Sequence, residues 1–293
     1  MPGVIKLRTI LGALVVVAGL GLGADALAQN EAQARPLLTE DVEILRPGTV
    51  RLEAGVGFLQ DQDFALSGLE GDLTRIGDVG VRIGVSSNVE LQISGTIQQF
   101  LAINNSFAPP AVPLDLGLRA SDTQDVGDFT VATKIKLTNE GQRIPSFGVR
   151  FGFEMPNTNQ ARGIGTNTTN VFAQVLAAKT VGPVRLMGNV GLAILESPTE
   201  SFSQNDVLLY GLAFRYPLTP RVRLVGEVNG RYSTREPQLG TEDRSEARFG
   251  VQVDAAGLRW DAAGVFGLTR WSPRTGLVLG VTYDIKETFE PAK

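Results

Sequence analysis

Period-two alternation governs this chain. The stretch SFGVRFGFEMP, residues 146–156, sets Phe147, Val149, Phe151, Phe153 and Met155 on one side of an extended backbone and Gly148, Arg150, Gly152 and Glu154 on the other. Similar alternation recurs at about twelve places, roughly at 49–60, 73–85, 89–102, 126–138, 146–156, 170–180, 184–195, 206–217, 221–233, 246–255, 258–269 and 275–286. These runs are close to the roughly 9–11 residues that a tilted membrane strand requires, and no long amphipathic helix separates them. The chain is expected to be all-β, with one folded domain. A soluble sandwich would bury the apolar row and a membrane barrel would turn it to lipid, so alternation alone does not choose.

The connections choose. In chain order, DQDFALSGLEGD, SSN, NNSFAPPAVPLDLGLRASDTQD, NEGQRIP, NTNQARGIGTNTT, GP, SPTESFSQN, LTP, STREPQLGTEDRS and AAG alternate long with short, and only the last, WSPR, is short for its side. An antiparallel up-and-down meander closed into an outer-membrane barrel produces this asymmetry, with short periplasmic turns and longer outer loops. An even strand number then puts both termini in the periplasm. Aromatic residues fall near both strand ends, as interfacial belts require: Phe58, Phe100, Phe153, Tyr210, Tyr232 and Trp271 by the long loops, Phe147, Tyr216, Trp260 and Tyr283 by the short turns. The last strand, TGLVLGVTYDI, carries Gly280, Tyr283 and Ile285 in the spacing of a C-terminal barrel-insertion signal, although KETFEPAK follows it.

The N-terminus agrees with that address. Lys6 and Arg8 precede an apolar run from Ile10 to Leu22 and a small-residue site at Ala26-Leu27-Ala28, the pattern of a cleaved secretory signal peptide over 1–28. Beyond it no run of eighteen or more apolar residues could cross a bilayer as a helix. The chain contains neither cysteine nor histidine, which removes thiolate and imidazole metal sites, histidine-held haem and a Ser-His-Asp triad. Loss of the signal takes Lys6, Arg8 and Asp25, leaving 25 basic against 30 acidic side chains and moving the net charge from −4 to −5. That balance offers no counterion-release drive toward nucleic acid. No cofactor and no catalytic residue is expected, since no carboxylate or Ser-Lys spacing singles one out. The expected partners are outer-membrane lipid of a Gram-negative cell, the barrel-insertion machinery and a small-molecule solute.

In a barrel, the residues interleaved with the apolar row face the lumen. Candidates are Arg51, Glu53, Asp78, Arg82, Glu90, Asp128, Lys134, Lys136, Arg150 and Glu154, then Arg185, Arg215, Arg223, Glu227, Arg231, Arg248, Asp254, Arg259, Asp261 and Asp284. Among them Arg51, Glu53, Arg82, Glu90, Lys134, Arg150, Glu154, Arg223, Glu227, Arg231, Arg248 and Asp261 are the chosen pore-lining candidates. Such charges cannot face lipid, where Arg or Lys at midplane costs about 2–4 kcal/mol. They either pair to brace the lumen or form a charged constriction, and the nearly balanced signs favour bracing over strong ion selectivity. NVFAQVLAAKT, the sixth strand, alternates too poorly to orient. Residues 29–47 precede the barrel proper, 48–286, and fold into it as a plug or stay in the periplasm; 287–293 form a periplasmic tail. NTNQARGIGTNTT suits a surface loop folded back over a pore mouth, and FAPPAVPLDLGL is apolar enough to rest against that mouth or to receive a hydrophobic ligand.

Four stretches carry a family resemblance: RPLLTEDVEILRPGTVRLEAGVGF, GDVGVRIGVSSNVELQISG, SDTQDVGDFTVATKIKL and SQNDVLLYGLAF. With them the chain resembles the outer-membrane barrel family named for the meta-pathway of phenol degradation, within a wider group of outer-membrane transporters. The resemblance covers most of the mature chain and rests on strand and turn patterns. It implies an outer-membrane channel that passively takes up small hydrophobic or aromatic compounds through a charged lumen, and it brings no catalytic residues. The alternative function is a structural or surface-interaction barrel whose lumen is closed by ion pairs.

Overall fold

A computed structural model describes residues 35–117, 121–233 and 238–289. The expected signal peptide lies outside the described residues. Thirteen strands follow one another: β1 (Val50–Phe64), β2 (Leu69–Gly84), β3 (Val89–Ser106), β4 (Asp122–Asp125), β5 (Phe129–Thr138), β6 (Ser146–Met155), β7 (Asn170–Val181), β8 (Val184–Glu196), β9 (Gln204–Pro217), β10 (Val222–Ser233), β11 (Arg244–Ala255), β12 (Leu258–Gly267) and β13 (Thr275–Ile285). Pairing is antiparallel throughout, and β1 meets β13 from Val50↔Ile285 to Gln60↔Thr275, which closes the ring. β4 and β5 share one place beside β3, so the barrel has twelve wall positions. Closure leaves no unpaired edge, which a strand-built wall in lipid must achieve.

Side-chain burial settles the orientation of the alternation. Phe147, Phe151 and Phe153 stand exposed on the outside of β6, with Leu91, Ile93 and Ile97 on β3 and Leu208 and Leu212 on β9, while Arg150 hydrogen-bonds to inward-facing Gln92 and Gln174. The oily row faces lipid. β7, the strand that could not be oriented, turns Val171 and Val175 outward and buries Leu176 and Ala178 inside.

Three departures from the expected strands have local causes. First, β1 and β2 run on to a connection at 65–68, through residues expected to form a loop, because Phe64, Leu69 and Leu73 bury their side chains inside the mouth. Second, the fourth wall position, expected to be continuous from 126, is broken at 126–128: β3 pairs with β5 up to Gly95↔Phe129 and with β4 from Gln99↔Asp125. The Phe129 ring covers Gly95 so closely that an added Cβ would sit 2.6 Å from its Cγ, and the gap is bridged by Gly127 N–H to the Thr96 carbonyl at 2.8 Å and by the Gln99 side chain to the Val126 carbonyl at 3.2 Å. Third, the last connection spans 268–274, longer than WSPR, which restores the long-and-short rhythm there. The inward phase also slips within β2. Gly77, at φ 71°, takes up a residue, so that Leu73 and Asp78 are both buried.

Candidate functional site

The segment before β1 lies inside the barrel. Residues 49 down to 35 climb from the short-turn rim to mid-height, and the wall meets them with side chains of matching chemistry. Leu45 N–H donates to Glu90 at 2.8 Å. Glu40 accepts from Arg82 at 2.9 Å and from Lys134 at 3.3 Å, while Lys134 also pairs with Glu90 at 3.2 Å. Arg185 takes Asp41 in a fork at 2.7 and 3.1 Å, and Lys136 holds Glu43 at 2.6 Å. The backbone is gripped as well: Glu227 accepts from the amides of Leu38 and Thr39 at 2.8 Å each, and Asn189 bonds both the N–H and the carbonyl of Glu40. Between these polar contacts Leu37 and Val42 pack with Leu176, Met187, Ala213 and Val225.

Burial alone would raise the Glu40 carboxyl, but Arg82, Lys134 and Arg150 outweigh it and hold Glu40 well below the usual carboxylate range. Glycines make room for the backbone. A Cβ on Gly211 would lie 2.6 Å from Thr39 Oγ1, and one on Gly280 2.5 Å from Arg35 Nε. The upper end of the segment is held more loosely. Arg248 donates to the Pro36 carbonyl at 2.8 Å and Gln252 to the Arg35 carbonyl at 2.7 Å, but the Arg35 guanidinium meets the Asp78 and Asp261 carboxylates only at 3.9 Å, beside a 3.3 Å bond to the Asp78 carbonyl, and the buried Asp261 carboxylate accepts no hydrogen bond among the described residues.

All twelve pore-lining candidates stand in the wall or its lumen, in distinct settings. Arg51 binds Asp284 at 2.6 Å, and Arg223 binds Asp254, both near the short-turn rim. Glu53, Arg82, Glu90, Lys134, Glu227 and Arg248 belong to the network around the segment, and Asp261 faces Arg35. Arg150 stands beside Lys134 while Glu154 and Arg231 lie higher, and the three bond to neutral groups: Gln92 at 2.8 Å, Asn170 at 2.8 Å and the Glu242 carbonyl at 2.8 Å. The nearly equal signs of the wall residues concealed the main event, which is that several wall cations pair with carboxylates of the segment. Strand alternation does not reach Glu40, Asp41 and Glu43, which precede the first strand in TEDVE, the densest acidic run there.

Above the segment the lumen opens into a chamber of about 650 Å³. Its floor is Arg35, Leu38 and Thr39, and its apolar roof includes Leu59, Phe64, Leu73 and Ile164. The roof belongs to a cluster continued by Leu101, Val265 and Val278 from the wall, against which Leu114 and Leu116 pack. Both long loops fold back over this mouth. Asp115 N–H donates to the Ala161 carbonyl at 2.8 Å, and Ser67 Oγ to the Gly163 carbonyl at 2.7 Å. The apolar loop thus rests on the barrel mouth, and Gly163 and Gly165 sit in a loop with no phosphate-cradling helix after them.

Known structures with similar architecture carry the same kind of barrel. An outer membrane channel from Pseudomonas putida F1 superposes with a TM-score of 0.62 at 17% identity, over 86% of this chain and 100% of that one. The translocator domain of an autotransporter from Neisseria meningitidis gives 0.43 at 13%, over 80% of this chain and 86% of that one. No curated protein matches the sequence. The first likeness shows the fold, a closed antiparallel β-barrel of twelve wall positions. The family profile described as "Putative MetA-pathway of phenol degradation" matches residues 35–285, from the lumen segment through the last strand, and this chain belongs to that family.

Proposed function

We propose that this protein is an outer-membrane channel for passive uptake of small solutes with hydrophobic or aromatic bodies, closed at rest by its own N-terminal segment. The short-turn rim faces the periplasm, where a cleaved signal peptide would leave the mature N-terminus close to the lumen it enters. The observation that carries this reading is the segment itself: it is docked through polar contacts, it is not woven into the sheet, and it lies between the chamber and the short-turn rim. The family's description, which names phenol degradation, supports an aromatic cargo, and the outer membrane channel of similar fold supports the channel role.

A structural barrel with a closed, ion-paired lumen is the competing reading, and the extensive pairing of the lower wall favours it. Against it stands the chamber, which bracing does not require. The test is conductance in planar bilayers and solute-driven swelling of vesicles, comparing the full mature chain with one lacking residues 36–45. Uptake through a displaceable plug predicts a small, flickering conductance in the first and a large steady one in the second. No conductance and no swelling in either protein would defeat the channel reading.

A further inference from the structure

The chamber is not neutral in its chemistry. Six arginines line it against four carboxylates: Arg35, Arg75, Arg150, Arg231, Arg244 and Arg248 against Asp78, Asp128, Glu154 and Glu246. Close pairs use up part of this set, with Arg75 on Asp78 at 2.7 Å and Arg248 on Glu246 at 2.6 Å. Asp128 is satisfied by the amides of Asn157 and Thr158, and Glu154 by Asn170.

The cations left over are held by neutral partners. Arg150 lies over the Phe172 ring at 4.7 Å and bonds to two glutamine oxygens. Arg231 donates from Nε and Nη2 to the carbonyls of Glu242 and Gly240. Arg244, on the adjacent strand, forms no ion pair among the described residues and is exposed. On the same cavity's surface sit Leu59, Phe64, Leu73 and Ile164. An apolar wall together with incompletely neutralised guanidinium groups suits a molecule with both features, because guanidinium binds carboxylate in a planar fork and gains most where water is scarce.

We propose that the chamber is a binding site for a small organic anion, a carboxylate on an aromatic or alicyclic body, with Arg231 and Arg244 receiving the carboxylate and the Leu59, Phe64, Leu73 and Ile164 wall receiving the body. The proposal rests on the channel reading for its route but not for its binding. Anion and hydrophobe are recognised together, so either alone binds weakly.

The test uses the full mature protein in zwitterionic nanodiscs, with empty discs as the blank, and isothermal titration of three probes: 3-phenylpropanoate, its neutral amide, and acetate. Wild-type protein is expected to bind 3-phenylpropanoate about tenfold or more tightly than either of the others. Arg244→Gln should remove much of that preference without touching the loop contacts that Arg231 makes. Arg231→Gln with Arg244→Gln should abolish it and leave binding of the amide unchanged. Leu73→Asn, on the opposite wall, should weaken both aromatic probes alike. Equal affinity for carboxylate and amide in the wild type, or a preference that survives the double substitution, overturns the proposal. Carboxylate-selective binding by a protein that never conducts would defeat the channel reading and leave the chamber standing. Conduction without selective binding would do the reverse.

Discussion

Below mid-height, the lumen of this barrel is filled by a peptide segment and its counter-charges; above, it is narrowed by side chains of the wall and its loops. Lys134 and Glu90 are fully buried in the lower half, and they pair with each other while Lys134 also takes Glu40 from the segment. In the upper half Leu101 and Val265 are equally buried, but their neighbours are Leu59, Leu69 and Leu73. The two halves close by different physics. Buried ion pairs gain little net free energy against hydration, because both charges must first be desolvated. Apolar burial has no comparable compensation in the open state, at about 25 cal/mol per Å² returned to water. The lower closure can therefore be undone by moving one segment, whereas undoing the upper one would expose an apolar surface anchored in five wall strands. Moving the segment also changes the charge of the lower passage, since Glu40, Asp41 and Glu43 leave while Arg82, Lys134, Lys136 and Arg185 remain.

The largest expected effect comes from breaking the lower closure on one side. Replacing Glu40 by Gln and Asp41 by Asn leaves Lys134 with Glu90 alone and Arg185 with Glu140 and Glu43, at a cost of about 3 kcal/mol, the lower end of what losing one member of a buried pair carries. The undocked population should rise on the order of a hundredfold or more. In planar bilayers this appears as long openings, with a reversal potential in a salt gradient shifted toward anion selectivity. Openings with no anion preference would show that the wall cations find other partners when the segment leaves. The matching substitution in the upper half, Leu101→Ala, should act elsewhere. Deleting a buried leucine costs about 2–5 kcal/mol of fold stability, so the midpoint of guanidinium unfolding should fall while the conductance pattern stays that of the wild type. A change in gating without a change in unfolding would erase the distinction between the halves.

The wall was legible in the sequence and its filling was not. Phe147, Phe151 and Phe153 announce a lipid face because period-two alternation is a property of single strands. The orientation of β7 was hidden because Phe172 and Leu176 face inward, where the rule expects polar residues; they answer Arg150 and the segment's Val42, partners remote in sequence. The slip at Gly77 and the break at 126–128 likewise depend on neighbours, Ile97 in one case and Thr96 in the other. Arg82, Glu90 and Lys134 could be placed inside from alternation, but the use of Arg82 and Lys134 as a socket for Glu40 requires contacts across 42 and 94 residues of chain. Local chemistry offered one pointer, the TEDVE run, whose carboxylates need cations once they leave water.

A smaller effect probes the fit of the segment without altering charge. Gly211→Ala places a methyl group 2.6 Å from Thr39 Oγ1, and overpacking of this kind costs typically about 1–3 kcal/mol. The segment is the part free to yield, so brief openings should become more frequent, by less than for the carboxylate substitutions, while guanidinium unfolding is unchanged. If unfolding shifted instead, the strands and not the segment would be absorbing the strain.

The smallest expected effect is an absence of change with acid. Glu40 is held below the ordinary carboxylate value of about 4.3, so its contribution to docking is complete above that pH and is lost only as the pH falls through the lower, docked value. Glu140, which shares Arg185 with Asp41, behaves alike: its slight burial works upward, but the Thr180 amide, Lys179 and the Thr180 hydroxyl bring it down to about 2. The contribution of Glu40 to the hold on the segment should therefore stay flat from about pH 8 to about pH 4.5, so that Glu40→Gln raises the resting leak by the same factor across that range. A factor that shrinks with a midpoint near the ordinary carboxylate value would mean that water already reaches Glu40. The hold on the segment would then have to come from Leu37 and Val42 against Leu176, Met187 and Val225, and the lower half of the lumen would close by the same apolar packing as the upper.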